Sequence, residues 1–205
     1  MTLAEVAPQI AELARLCYAR GWAPGTSGNF SATVGRDPLR LAITVSGVDK
    51  STFTPDDIVE IDGVGRVVTG SGRPSAESSL HLAVARARGA GAVLHTHSIW
   101  STIISEAGDH GVSIEGYEML KGLDGVVTHE HREWLPVFEN TQDWAGAAPE
   151  VEGFLAEHPE THGFLIRRHG LYTWGRDLAE ARRHLEVFEF LFEVMGRKRG
   201  IPWQP

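Results

Sequence analysis

Cysteine is almost missing from this chain: Cys17 stands alone among 205 residues. One thiol closes no intrachain disulfide and builds no multi-thiolate metal site, so a reducing compartment is expected. Cys17 itself falls in a helical apolar pattern and reads as a small core residue. Long apolar runs are also absent, and no stretch approaches the roughly 18 residues of a membrane span. Basic charge is in deficit, with 19 Lys and Arg against 27 Asp and Glu, a net charge of -8. That balance argues against nucleic-acid partners and against an anionic membrane surface. Any phosphate must then be held by a local site, because the overall field repels it. The opening residues carry Glu5 and Glu12 and lack a basic start followed by an apolar block. They read as a helix, not as a secretory signal, and a cytoplasmic location is expected. No repeat, low-complexity block or linker interrupts the chain, so one domain over residues 1–205 is expected.

Within those bounds the apolar pattern is informative. Leu3, Val6, Ile10, Leu13 and Leu16 recur at three- and four-residue steps, the stripe of an amphipathic helix ending near Gly21. "FSATV" and "LRLAITVS" read as strands, and "TPDDIVEID" with "GRVVTG" as a hairpin. "SAESSLHLAVARARG" reads as a helix with Ser75 as N-cap. A strand ending in "HTHS" and a helix from about Ser98 come next. "IEGYEMLKG" suggests a short helix, "WLPVFEN" an edge strand, and "WAGAAPEVEGFLAEHP" another helix. "HGFLIRRHGLYTWG" reads as two strands about a glycine turn, before a long final helix with Lys and Arg in its last turn. The predicted class is α/β of the α+β type, a central and mainly antiparallel sheet flanked by helices.

The segment "GAVLHTHS" (residues 91–98) carries the first chemical signal. Strand side chains alternate faces, so His95 and His97 point the same way at the end of an apolar strand. Two imidazoles so placed suit a metal, and a catalytic zinc takes a third protein ligand while leaving a position open. His169, in "RRHGLYTWG", also stands at a strand end. His162 begins that same strand, so it and His169 are not alternatives at one site. His81 and His184 fall in helical patterns and read as packing or surface residues. A rival pair, His129 and His131 in "THEHRE", has polar flanks and reads as a loop.

Two further groups accompany the histidines. "GTSGN" (25–29), "SGVDK" (46–50) and "SGRPSAE" (71–77) are turns rich in glycine and hydroxyls, and such turns form anion nests. Lys50 adds a point charge. Two carboxylates stand out: Glu77, near a helix start, and Glu118, in the otherwise apolar "GYEMLKG". Apolar surroundings raise a carboxyl pKa toward the range useful for proton transfer.

"GTSGNFS", "PSAE", "VLHTHS" and "RRHG", in that order, resemble the class II aldolase/adducin family over nearly the whole chain. "ITVSGVDK", "YEMLKG", "VFENT" and "RRHGLYTWG" resemble most its branch that dehydrates a methylthio-bearing ketose phosphate. The resemblance implies one Zn2+ per subunit held by His95, His97 and His169. It implies a phosphate against Gly28, Asn29, Ser46, Gly47 and Ser75, with acid/base chemistry at Glu118 or Glu77, Glu118 being favoured. It further implies a zinc-stabilised enediolate and a homotetramer with active sites at subunit interfaces. A sugar-phosphate aldolase, a 4-epimerase and a non-catalytic adducin-like domain are the alternatives. Trp100, Met119 and Phe138 are candidates for the methylthio pocket, though each is better explained as core.

Overall fold

Strand β5 (Ala92–Thr96) runs through the middle of the molecule and is buried at all five residues. The computed structural model describes residues 1–200, with side chains through 198. Around β5 are arranged β1 (Asn29–Arg36), β2 (Leu39–Thr44), β3 (Ile58–Asp62), β4 (Val67–Thr69), β6 (Gly111–Glu115), β7 (Arg132–Phe138), β8 (Gly163–Ile166) and β9 (Gly170–Gly175). They form one nine-stranded sheet in the order β4-β3-β2-β1-β5-β9-β8-β7-β6. Every neighbouring pair is antiparallel except β7 with β8. The class is mixed α/β, a central sheet flanked by helices.

Alternation along the strands sorts the core into two faces. Ala92 and Leu94 of β5, Leu165 of β8 and Leu171 of β9 pack with α1 (Leu3–Ala19) and α5 (Leu178–Gly200). Val93, Phe164, Ile166, Tyr172 and Trp174 point the other way, against α2 (Ser78–Arg88) and α4 (Trp144–Glu157). A short helix, α3 (Ile99–Ile104), follows β5 and is capped by the Ser98 hydroxyl, which accepts the Ser101 N–H at 3.0 Å. Helix α1 begins where Glu5 reaches back to accept the Thr2 N–H at 2.6 Å. Cys17 is wholly buried in its packed face. No helix among the described residues is long and apolar enough to cross a membrane.

Four local expectations are corrected. The chain of α2 turns helical only at Ser78, and Ser75 is no cap; its Oγ accepts the Glu77 N–H at 3.3 Å instead. Residues 111–115, in part assigned to a short helix, form β6, leaving a 3-10 turn over Glu118–Gly122. β7 is therefore not the edge, because β6 covers it on one side and β8 pairs with it on the other. Met119 is 38% exposed, whereas Trp100 and Phe138 pack against the two cores. The first three errors arise where a few residues suit either state and a long-range pairing decides.

Leu94, at 0% exposure between His95 and the α1/α5 face, anchors the strand. Leu94→Ala is expected to cost about 2–5 kcal/mol, read from the midpoint of urea unfolding. A cost below about 1 kcal/mol would mean that this core closes around the lost methyls.

Candidate functional site

The register of β5 against β9 builds a cluster of imidazoles on the α2/α4 face. His95 pairs with Tyr172 across the ladder, and Thr96 with Leu171, so the turn from β8 to β9 swings His169 over the end of β5. The approach is close: a Cβ on Gly170 would lie 1.9 Å from the Thr96 carbonyl oxygen. Only glycine permits it. Arg168, just before His169, is held at φ 55, in the left-handed region that side chains rarely occupy. Its N–H donates to the Ser105 hydroxyl at 2.8 Å, and its guanidinium pairs with Glu106 at 3.0 Å. Tertiary contacts thus hold a strained residue that aims its neighbour.

The three Nε2 atoms converge. His95 and His97 are 2.8 Å apart, His97 and His169 3.0 Å, and His95 and His169 3.3 Å. His95 is fixed by its Nδ1–H, which donates to the Leu171 carbonyl at 2.9 Å and leaves an Nε2 lone pair facing inward. Burial pushes the pKa of all three below the usual range, His95 well below and His97 to about 2. Neutral imidazoles turned lone pair to lone pair repel unless a cation lies among them. Nitrogens bound to a tetrahedral zinc stand about 3.3 Å apart, so the cluster is a slightly closed form of such a donor set.

Glu77 closes the fourth side. Its carboxylate lies 3.2 Å from His95 Nε2 and 3.3 Å from His169 Nε2, so the four side chains form a group able to hold a divalent metal. Being the N-cap residue of α2 without a capping hydrogen bond, Glu77 has its side chain free for this face. Behind it runs a buried polar network. Asn29 Nδ2 donates to Glu77 at 2.6 Å, and Tyr172 Oη donates to it at 3.1 Å. His81 contacts the Asn29 amide oxygen and lies 2.7 Å from the Ser31 hydroxyl. Burial lowers the His81 pKa to about 4, so it serves this network as a neutral ring. Tyr172 also stacks on His95, centroids 4.1 Å apart. Burial first, and then Glu77, hold its phenol well above the ordinary range. Read from sequence as packing or surface, His81 turns out to orient the residues around the cluster.

A cavity of about 310 Å³ opens beside the cluster. All six residues expected to hold a phosphate line it: Gly28, Asn29, Ser46, Gly47, Lys50 and Ser75. So do Glu77, His97 and His169. The Asn29 side chain, however, is committed to Glu77 and His81. Gly28 sits at φ +73, and a Cβ there would lie 2.9 Å from the His95 carbonyl oxygen. Lys50 is 1% exposed; its ammonium lies near the carbonyls of Val48 (3.2 Å) and Thr26 (3.4 Å) and over the Phe53 ring, 4.8 Å from its centroid. Burial lowers its pKa to about 8, against the pull of Asp49 and Asp57. The Ser27 hydroxyl is buried without a hydrogen-bond partner among the described residues and lines the same cavity. Thr26, Ser27, Gln142 and Trp144 escaped the sequence reading. Gln142 and Trp144 arrive from the distant start of α4 and carried no local signal, whereas "GTSGN" already contained the first two.

Glu118 lies elsewhere. Its carboxylate is 72% exposed, 2.8 Å from Lys121 and 3.9 Å from His129, and it does not line the cavity. The expected apolar, pKa-raising setting is absent: the Lys121 hydrogen bond and charge lower its pKa. The turn is apolar in sequence, yet its 3-10 geometry points the carboxylate outward.

Residues 8–195 match the family described as Class II Aldolase and Adducin N-terminal domain. The chain belongs to the class II aldolase and adducin family. It is 46% identical, over 93% of its length and 92% of the relative's, to a methylthioribulose-1-phosphate dehydratase of Marinobacter nauticus. The corresponding protein of Sorangium cellulosum is 45% identical over 98% of this chain and 95% of its own. Among solved structures, the L-fuculose-1-phosphate aldolase of Thermus thermophilus superposes with a TM-score of 0.74 at 25% identity, covering 97% of both chains.

Gly170→Ala is expected to leave the fold intact by circular dichroism while weakening metal retention by at least about tenfold, because His169 can no longer reach β5. Unchanged metal content after dialysis against a weak chelator would disprove this role for Gly170.

Proposed function

We propose that the chain is a zinc-dependent hydro-lyase that dehydrates 5-methylthioribulose 1-phosphate to 2,3-diketo-5-methylthiopentyl 1-phosphate. One observation carries the reading: a donor set able to hold a metal and a wall of glycine and hydroxyl turns with a buried lysine line one cavity. The names of the relatives, at 41–46% identity over nearly the whole chain, supply the substrate. The step would belong to methionine salvage, in the cytoplasm, carried out by a single catalytic domain. Three imidazoles favour zinc over harder cations.

His95, His97, His169 and Glu77 would hold the metal or stand beside it. A divalent cation there supplies Lewis-acid polarisation of the substrate carbonyl and adjacent hydroxyl. Lys50, Ser75 and the turns at Gly28 and Ser46–Gly47 would bind the phosphate, which does not react, and so fix the reacting carbons near Glu77. Glu77 would take the C3 proton on a carboxylate oxygen. The C4 hydroxyl then leaves as water with one proton, and the enol left behind tautomerises to the 2,3-diketone. Asn29 and Tyr172 hold the carboxylate in place throughout.

Glu118 keeps a role only across a subunit boundary. It stands exposed beside Met119, itself 38% exposed, the kind of surface that a neighbouring copy covers. In the homotetramer that the family resemblance implies, Glu118 would serve the cavity of a neighbour, as the second acid/base group.

Incubating the metal-loaded protein with the substrate should give a product lighter by one water, read by mass spectrometry. Sugar-phosphate cleavage without dehydration would replace this reading by an aldolase one. Glu77→Gln should lower kcat by about 10²–10⁴-fold. A loss of that size in Glu118→Gln, with Glu77→Gln near wild type, would move the base to the neighbouring copy. Lys50 is charged below pH 8 and neutral above it, so KM should climb as the pH passes about 8. In Lys50→Met, KM should be high and flat over the same range.

A further inference from the structure

Seen along the sheet, β5 and β8 run in the same direction, because each is antiparallel to β9 between them. The first cluster occupies the C-terminal ends of these strands. At the opposite end, where β7 and β8 begin, lies a second group of ligand-type side chains that the proposed reaction does not use. We propose that His131, Glu133 and His162 form a second divalent-cation site, structural in role, with the chemistry of a two-histidine, one-carboxylate set.

The donor atoms converge as in the first cluster. Glu133 Oε2 lies 2.8 Å from His131 Nε2 and 2.9 Å from His162 Nδ1, and all three atoms fall within 4.8 Å of one another. For His162 and Glu133 the remaining valences are already taken by main chain. His162 donates its Nε2–H to the Asp124 carbonyl at 2.9 Å, which leaves the Nδ1 lone pair facing the group. Glu133 Oε1 accepts the His162 N–H at 2.9 Å, which leaves Oε2 free. His95 is oriented in the same way, through the Leu171 carbonyl. Glu133 is 1% exposed, an expensive place for a carboxylate without a cation. The two imidazoles are 27% and 16% exposed, so an ion can enter. A cavity of about 460 Å³ adjoins them, with room for water on the remaining coordination positions. Its arginines face other partners, Arg176 towards Glu180 at 3.4 Å and Arg88 towards the carbonyls of Leu155, His158 and Thr161.

Such an ion would tie the starts of β7 and β8 together and, through Asp124, to the segment that follows Glu118. The competing account is a metal-free ion pair. Burial opposes a charged His162, but the Glu133 hydrogen bond and charge outweigh it and raise the pKa. The two accounts differ in stoichiometry.

Metal-stripped protein is dialysed to equilibrium against Zn2+, and zinc per chain is counted by mass spectrometry. The variants are His97→Ala, His131→Ala and the double variant; His97 and His131 are chosen because each is partly exposed. The wild type should take up two zinc ions per chain, each single variant one, and the double variant none. Co2+ in the His97→Ala protein should give a visible d–d absorption that is lost when His131→Ala is added. One zinc in the wild type, or an unchanged count in His131→Ala, would overturn the second site in favour of the ion pair. Dehydration by His131→Ala should stay within about twofold of wild type, since the residue touches nothing in the first cavity. Failure of dehydration in every protein, with the zinc counts as expected, would sink the dehydratase reading and leave the second site standing.

Discussion

Three imidazole nitrogens facing one another are an electrostatic problem that the rest of the molecule is arranged to hold in place. Each ring must be neutral, and burial in the α2/α4 face ensures that, driving the pKa values of His95, His97 and His169 down. Each must also keep its angle. For His95 this comes from the Leu171 carbonyl and from stacking on Tyr172, and for His169 from a turn whose strained Arg168 is pinned by Ser105 and Glu106. Backbone strain at one residue is tolerated because several tertiary contacts over-determine it.

The same constraint shapes the layers behind the cluster. Glu77 is oriented by Asn29 and Tyr172, and Asn29 in turn by His81, itself beside Ser31. A buried polar chain of this kind is stable only when each member is satisfied, and here the links run without a gap from β1 to α2 to β9. On the far side of β5, Thr96 donates to Glu189 of α5 at 3.1 Å. Burial raises the Glu189 pKa to about 7, so the sheet carries polar support on both faces at the level of the cluster. The turns after α1 and β2 and the approach to α2 line the cavity beside this assembly. In an acidic chain, a buried lysine whose partners are two carbonyls and the Phe53 ring is the local positive field that the net charge denies.

Much of this was legible in the chain itself. Apolar period and glycine punctuation gave the helices, most strands and the central sheet flanked by helices, because those signals act over a few residues. The spacing of His95 and His97 fixed a shared face, since a strand reverses side at every residue. The turns "GTSGN" and "SGVDK", and Ser75 and Glu77 of "SGRPSAE", all reached one cavity.

What tertiary structure alone decided has a common cause: it depends on register between segments far apart in sequence. Pairing of β5 with β9 decided that His169 meets the first two histidines. The start of α2, two residues later than the cap pattern indicated, put Glu77 at the N-cap position with its side chain turned to the histidines and making no capping hydrogen bond. The pairing of β6 with β7 moved the "WLPVFEN" strand from the edge to the interior, and the parallel pairing of β7 with β8 brought His131 and Glu133 to His162. Glu118 shows the limit from the other direction, because an apolar flank in sequence became an exposed 3-10 turn in space. Local residue choice sets which face a side chain takes on its own element. Which other element it then meets is set by packing of the whole sheet, and no short window of sequence contains that information.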